Sequence, residues 1–102
     1  MSLSFADRVE VPKYVLVRFL EKETVLLSMK AEVYYGLDEA ATRMWQVLTG
    51  ASSIANAYAQ LLDEFDVEPE LLRQNLSELL GQLVDKGLLR IHPPDVEPAP
   101  KI

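Results

Sequence analysis

The chain has 102 residues, 49% of them hydrophobic and 25% charged, which is enough for one packed core and one domain. Ten Lys and Arg against 16 Asp and Glu leave a formal net charge of -6, a balance that repels nucleic-acid phosphates. There is no cysteine, and His92 is the only histidine. Disulfides, thiolate metal sites and cysteine nucleophiles are excluded, and a triad or a histidine metal cluster would have to be built around one residue. No basic segment followed by a long apolar stretch marks a signal peptide or a membrane span. With no thiols to oxidise, the expected location is the cytoplasm.

Met1 to Asp7 reads as a loose start. Arg8–Val11 alternates and offers a short edge strand that Pro12 ends. Tyr14–Leu20 is rich in β-branched and aromatic residues and predicts a strand. Glu21-Lys22-Glu23 is a polar turn, Thr24–Ser28 a second strand, Lys30-Ala31-Glu32 a second turn and Val33–Leu37 a third strand. Turns this short imply antiparallel neighbours, hence a meander.

Helices follow. Asp38 is a good N-cap, and Ala41, Met44, Trp45 and Leu48 share one apolar face. Gly50 stands where a left-handed turn can end this helix. Ser52 or Ser53 caps a second helix carrying Ile54, Tyr58, Leu61, Leu62 and Phe65. Pro69 opens a third, with Leu72, Leu76, Leu79, Leu80 and Leu83 as its buried stripe and Gly87-Leu88 as its C-terminal cap. Leu89–Ile91 predicts a last short strand. Pro93, Pro94, Pro98 and Pro100 mark a tail expected to be extended and poorly ordered. The expected architecture is α+β and winged-helix-like: a three-stranded antiparallel sheet followed by three helices, with the domain at 1–92 and the tail at 93–102.

Helix, turn, helix and strand is also the order of a winged-helix DNA-binding regulator. In that case the helix after Asp66-Val67-Glu68 would enter the major groove. It carries Glu68, Glu70, Glu78 and Asp85 against Arg73 and Lys86, with Asp63, Glu64 and Asp66 just before it, so the electrostatics oppose DNA. His92 reads as an exposed residue at the margin of the tail, without a second ligand or a base partner. Asp63, Glu64 and Asp66 read as a solvated helix end, because they lack the spacing and turn glycine of a calcium loop. The four glycines are dispersed and form no phosphate loop. No cofactor, no metal site and no catalytic residue is expected.

The third strand is more informative. One of Tyr34 and Tyr35 can pack inward while the other shields the sheet. In a meander, however, Val33–Leu37 lies on the outside, and it has no Pro or charge to blunt it, although Gly36 could allow a bulge. An open edge beside a helix can accept a peptide as an added strand, with backbone pairing giving affinity and alternate side chains giving specificity. It can equally accept a second copy, which would make the chain a structural dimerisation domain.

Thr24-Val25-Leu26-Leu27, then Val33-Tyr34-Tyr35-Gly36-Leu37-Asp38, then Met44-Trp45 and Leu48 follow the pattern of the PqqD family. Asp66-Val67-Glu68-Pro69 and the spaced leucines ending in Lys86-Gly87-Leu88-Leu89 fit it too, so the chain resembles that family from about Val15 to Ile91. The family takes its name from pyrroloquinoline quinone biosynthesis and belongs to the leader-recognition elements of ribosomally made, modified peptides. The resemblance implies a non-catalytic adaptor. It would bind a precursor's leader as a strand beside Val33–Leu37, in a groove walled by the third helix, and present the core to a modifying enzyme. The implied enzyme is a leader peptidase of the transglutaminase-like type, as in lasso-peptide biosynthesis, or a radical S-adenosylmethionine enzyme. Asn75 departs from the Asp that many members carry there.

On this reading Val33, Tyr34, Tyr35, Gly36 and Leu37 pair with the leader, antiparallel, over roughly 17 Å. At 100° per residue Leu71 lies off the buried stripe beside Asn75, Glu78 and Gln82. Leu71, Asn75, Leu79 and Gln82 are therefore the expected wall, with Leu79 shared with the core; Arg73, Ser77 and Val84 hold the opposite flank. Tyr35→Pro is expected to weaken binding, provided the Tyr35 N–H faces the edge.

Overall fold

The computed structural model describes residues 5–92. Their order is β1 (Arg8–Glu10), β2 (Val15–Leu20), β3 (Glu23–Ser28), β4 (Val33–Leu37), α1 (Glu39–Gly50), α2 (Ile54–Glu64), α3 (Pro69–Asp85) and β5 (Arg90–His92). The expectation of a Pro-rich tail at 93–102 lies outside the described residues.

β2, β3 and β4 form the antiparallel meander, in that order. Successive side chains along each strand point to opposite sides, which gives the sheet two distinct faces. Thr24, Leu26, Ser28 and Leu37 are buried on the inner face, where α1 packs, with Tyr35 half-buried among them. Tyr34, Leu16 and Leu20 stand on the outer face and are exposed. A chain of buried hydroxyls ties helix to sheet: Thr24 donates to Thr42 at 2.9 Å, and Thr42 donates to the Leu37 carbonyl at 3.3 Å.

Asp38 caps α1 by accepting from Ala41 N–H, and Ser53 caps α2 by accepting from Asn56 N–H. Gly50 is not the left-handed residue expected after α1. It is the last helical residue, and the chain leaves through Ala51 in an extended conformation. Gly87 does take a left-handed φ of 74°. There Leu88 N–H reaches the Leu83 carbonyl and Gly87 N–H the Val84 carbonyl, closing a Schellman cap with Leu88 fully buried.

Three local expectations are corrected. Phe5–Asp7 is docked rather than loose: the Phe5 and Asp7 carbonyls accept from Ala55 and Ile54, two otherwise unpaired donors at the start of α2. Phe5 also meets Tyr58 edge-on at 5.6 Å and lies under Arg73 at 4.2 Å. β1 does not extend the meander; it pairs with β5 in a separate two-stranded sheet. His92 is a half-buried member of β5 bonded to Glu10 across that pair, which, ahead of any other influence, holds the Glu10 carboxyl below the usual range. The last two share one cause, the register Val9↔Ile91, which pairs β1 with β5, buries Val9 and brings both ends of the domain together.

Candidate functional site: an open strand edge beside a helix

One bond determines which backbone groups reach the edge. Met29 N–H donates to the Tyr14 carbonyl at 2.8 Å, so these residues form a hydrogen-bonded pair and the pattern repeats every second residue. Carried through the β2–β3 register, it turns Glu23, Val25 and Leu27 toward β2 and Thr24, Leu26 and Ser28 toward β4. Leu37, Tyr35 and Val33 face them across the β3–β4 ladder. Tyr34 and Gly36 are left with N–H and C=O directed away from β3, and no further strand pairs with β4 among the described residues. The Tyr35 donor therefore belongs to the ladder, and Tyr35→Pro would damage the sheet instead of testing the edge. Tyr34 and Gly36 are the residues an added strand would bond. The partner residue opposite Tyr35 would point to the helical side, because directly opposed residues share a face.

The helix beside this edge is α3. Leu72, Leu76, Leu80 and Leu83 are buried at 0–1% exposure, while Leu79 is partly buried against the core. Gln82 accepts a hydrogen bond from the Tyr35 hydroxyl, so the flank carrying Leu71, Asn75 and Gln82 is the one that meets β4. The opposite flank turns elsewhere: Arg73 stacks on Phe5 and Val84 packs on the core. Leu71 is 48% exposed on the β4-facing flank, eleven residues and about 16 Å of helix from Gln82. Asn75 is exposed between them, with its amide free of protein partners among the described residues. Of the nine expected residues, the structure thus joins Tyr35 and Gln82 directly and places Leu71 and Asn75, both exposed, on the same flank of α3.

Lys86 was not among the expected residues. Its ammonium lies 5.7 Å from the centre of the Tyr35 ring. The sequence signal was available, since Lys86 falls four residues after Gln82 on the same flank, but its place just before the capping glycine read only as a helix end. Tyr14 was also overlooked. Lys30 and Arg90 flank its ring at 5.4 and 5.8 Å, and its hydroxyl approaches Gly87. At the other end of β4, an open hollow of about 660 Å³ lies where the strand runs into α1; Glu21, Lys22, Asp38 and Glu39 are in its rim.

A three-stranded sheet whose outer strand β4 is unpaired on its far side and lies alongside an amphipathic helix has the architecture of the class of module that takes up an extended peptide by strand addition. The chain belongs to the PqqD family: residues 23–89 match the family described as coenzyme PQQ synthesis protein D. It is similar to a PqqA binding protein of Bradyrhizobium diazoefficiens, at 26% identity over 89 residues, 87% of this chain and 86% of the relative. Among solved structures it is similar to TbiB1 in complex with the TbiA(beta) leader peptide, at 25% identity and a TM-score of 0.74, covering 79% of this chain and 94% of that one.

Proposed function

We propose that this chain is a non-catalytic adaptor that binds the leader of a ribosomal precursor peptide and presents the peptide to a modifying enzyme or a leader peptidase. The observation that carries the reading is the free edge at Tyr34 and Gly36 beside the Gln82 flank of α3. The names of the two relatives, one a PqqA binder and one bound to a leader peptide, support it. The leader adds antiparallel to Val33–Leu37, and Leu71, Asn75, Leu79 and Gln82 form the wall it packs against. The partner enzyme is a transglutaminase-like leader peptidase or a radical S-adenosylmethionine enzyme. Its place of work is the cytoplasm, where the ribosomal precursor is made. No described helix is long and apolar enough to cross a membrane.

The test pairs the purified chain with a labelled synthetic leader of the precursor encoded beside it. Saturable binding with slowed amide exchange at Tyr34 and Gly36 is expected. Protection confined to α2 refutes strand addition, and a mass doubling without peptide supports the dimerisation reading instead. Incubated alone with full precursor, the chain should leave it unmodified and uncleaved; turnover that survives His92→Ala and metal removal overturns the adaptor reading.

A further inference from the structure

Nothing inside the chain requires a glycine at position 36. Its φ is not left-handed, and the β3–β4 register runs through it unbroken, so neither a turn nor a bulge calls for it. A Cβ built there meets no other atom within 4 Å, so close packing does not call for it either. A glycine inside a strand gives up backbone entropy and a cross-strand side-chain contact, and it often marks the close approach of a ligand. What Gly36 leaves is a gap on the outer face, at the open edge. It stands opposite Val25, which in turn stands opposite Arg18. The neighbouring row is Leu16, Leu27 and Tyr34. Val25 and Leu27 are only half-buried, and Leu16 and Tyr34 are 53% and 72% exposed, so apolar surface adjoins the gap.

We propose that the gap at Gly36 is a subsite for one large apolar side chain of the bound peptide, Leu, Met, Phe or Tyr, so that the leader is read on the outer face of the sheet as well as on the helical side. This rests on the leader-binding reading. A strand bonded to Gly36 sets one residue directly opposite it, with its side chain on the same outer face. Because the strand is antiparallel, that residue immediately precedes the one opposite Tyr35. Gly36 and Val25 are a non-hydrogen-bonded pair, with Cα atoms about 4.5 Å apart, whereas the peptide residue and Gly36 are a hydrogen-bonded pair at about 5.5 Å. The peptide side chain thus has only glycine between it and Val25. A long apolar side chain spans the glycine and closes on Val25, with Tyr34 as its diagonal neighbour; Ala or Ser does not reach. A large side chain laid across an edge glycine supplies the contacts the glycine lacks. Any side chain at position 36 would stand in that path.

The test titrates the synthetic leader described above, and its single alanine variants, into the wild type and Gly36→Val. Valine suits a strand and its Cβ meets no atom there, so Gly36→Val should melt no lower than the wild type. It should nonetheless bind the leader roughly 5- to 30-fold more weakly, through lost apolar burial. One alanine variant, at a large apolar residue, should lose about as much on the wild type and little further on Gly36→Val. Coupling at a polar or small residue instead, or equal affinity of the wild type and a folded Gly36→Val, overturns the subsite. A second arm keeps the native chain: the Val25 methyl resonances should shift at saturating leader and stay in place with that alanine variant. Slowed amide exchange at Gly36 without movement of the Val25 methyls overturns the subsite while leaving strand addition intact. Failure of the wild type to bind any leader refutes the leader reading itself, a distinguishable result. Methyl shifts that grow with protein concentration in the absence of peptide, and that added leader does not change, would assign this face to a second copy and also overturn the proposal.

Discussion

Gly36 offers the most direct test of the edge. A Cβ placed there meets no atom within 4 Å, and its φ is not in the left-handed region. Gly36→Ala should therefore fold normally. Gly36→Pro fits an edge strand as well, because its N–H is outside the β3–β4 ladder, but it removes the donor and puts a ring in the path of the added strand. The preceding residue, Tyr35, is already extended, as a residue before proline must be. The lost hydrogen bond is worth about 0.5–1.5 kcal/mol net, and the stranded peptide carbonyl adds to this. A difference of about 1–2 kcal/mol between Pro and Ala corresponds to roughly 5- to 30-fold in Kd. Fluorescence anisotropy with labelled leader reads it, and thermal unfolding checks that both variants remain folded. Equal Kd for the two variants would refute the assignment of the Gly36 donor to the peptide.

The other predictions concern the wall, the buried hydroxyls and acid stability. Leu71→Ala should weaken leader binding by about 1–2 kcal/mol with little change in stability, whereas Leu76→Ala should cost about 2–5 kcal/mol of stability through a core cavity; loss of affinity only in Val84→Ala would move the groove to the other flank. Thr42→Val should cost about 1–3 kcal/mol in denaturant titration, because it strands the buried Thr24 hydroxyl, and Thr24→Val on top should cost little more; additive losses would contradict the shared bond. Arg43 grips Glu64 through two bonds of 2.6 and 2.7 Å and holds its carboxyl below the ordinary range. A depressed carboxyl pKa stabilises above the unfolded value and stops doing so as pH falls through the folded one. The melting-temperature deficit of Arg43→Ala should therefore be present at neutral pH, shrink as pH falls through the lowered folded value of Glu64, and vanish once the carboxylate is protonated in both states; a constant deficit would show that Arg43 acts by packing alone.

Local periodicity was enough for most of the fold. Val33–Leu37 and its neighbours are rich in β-branched and aromatic residues, which marked them as strands, and Leu72, Leu76, Leu80 and Leu83 repeat with the helical period, so the buried face of α3 followed from residue order. Asp38, Ser53, Pro69 and Gly87 marked helix ends because a cap is satisfied by groups a few residues away. The family pattern, and with it the edge strand, was legible for the same reason: it is written in order and spacing. What no local rule contains is a meeting of distant residues. The pairing of β1 with β5, 82 residues apart at Glu10 and His92, came only with the closed domain. So did the flank of α3 that meets Tyr35, because periodicity gives a helix its faces but not their neighbours. The split of the backbone donors, Tyr35 inward to the ladder and Gly36 outward to the edge, needed the register between strands, which alternation in one strand leaves undetermined. Lys30 and Arg90 over the Tyr14 ring and Lys86 over the Tyr35 ring are likewise meetings of residues distant in the chain, which only packing brings about.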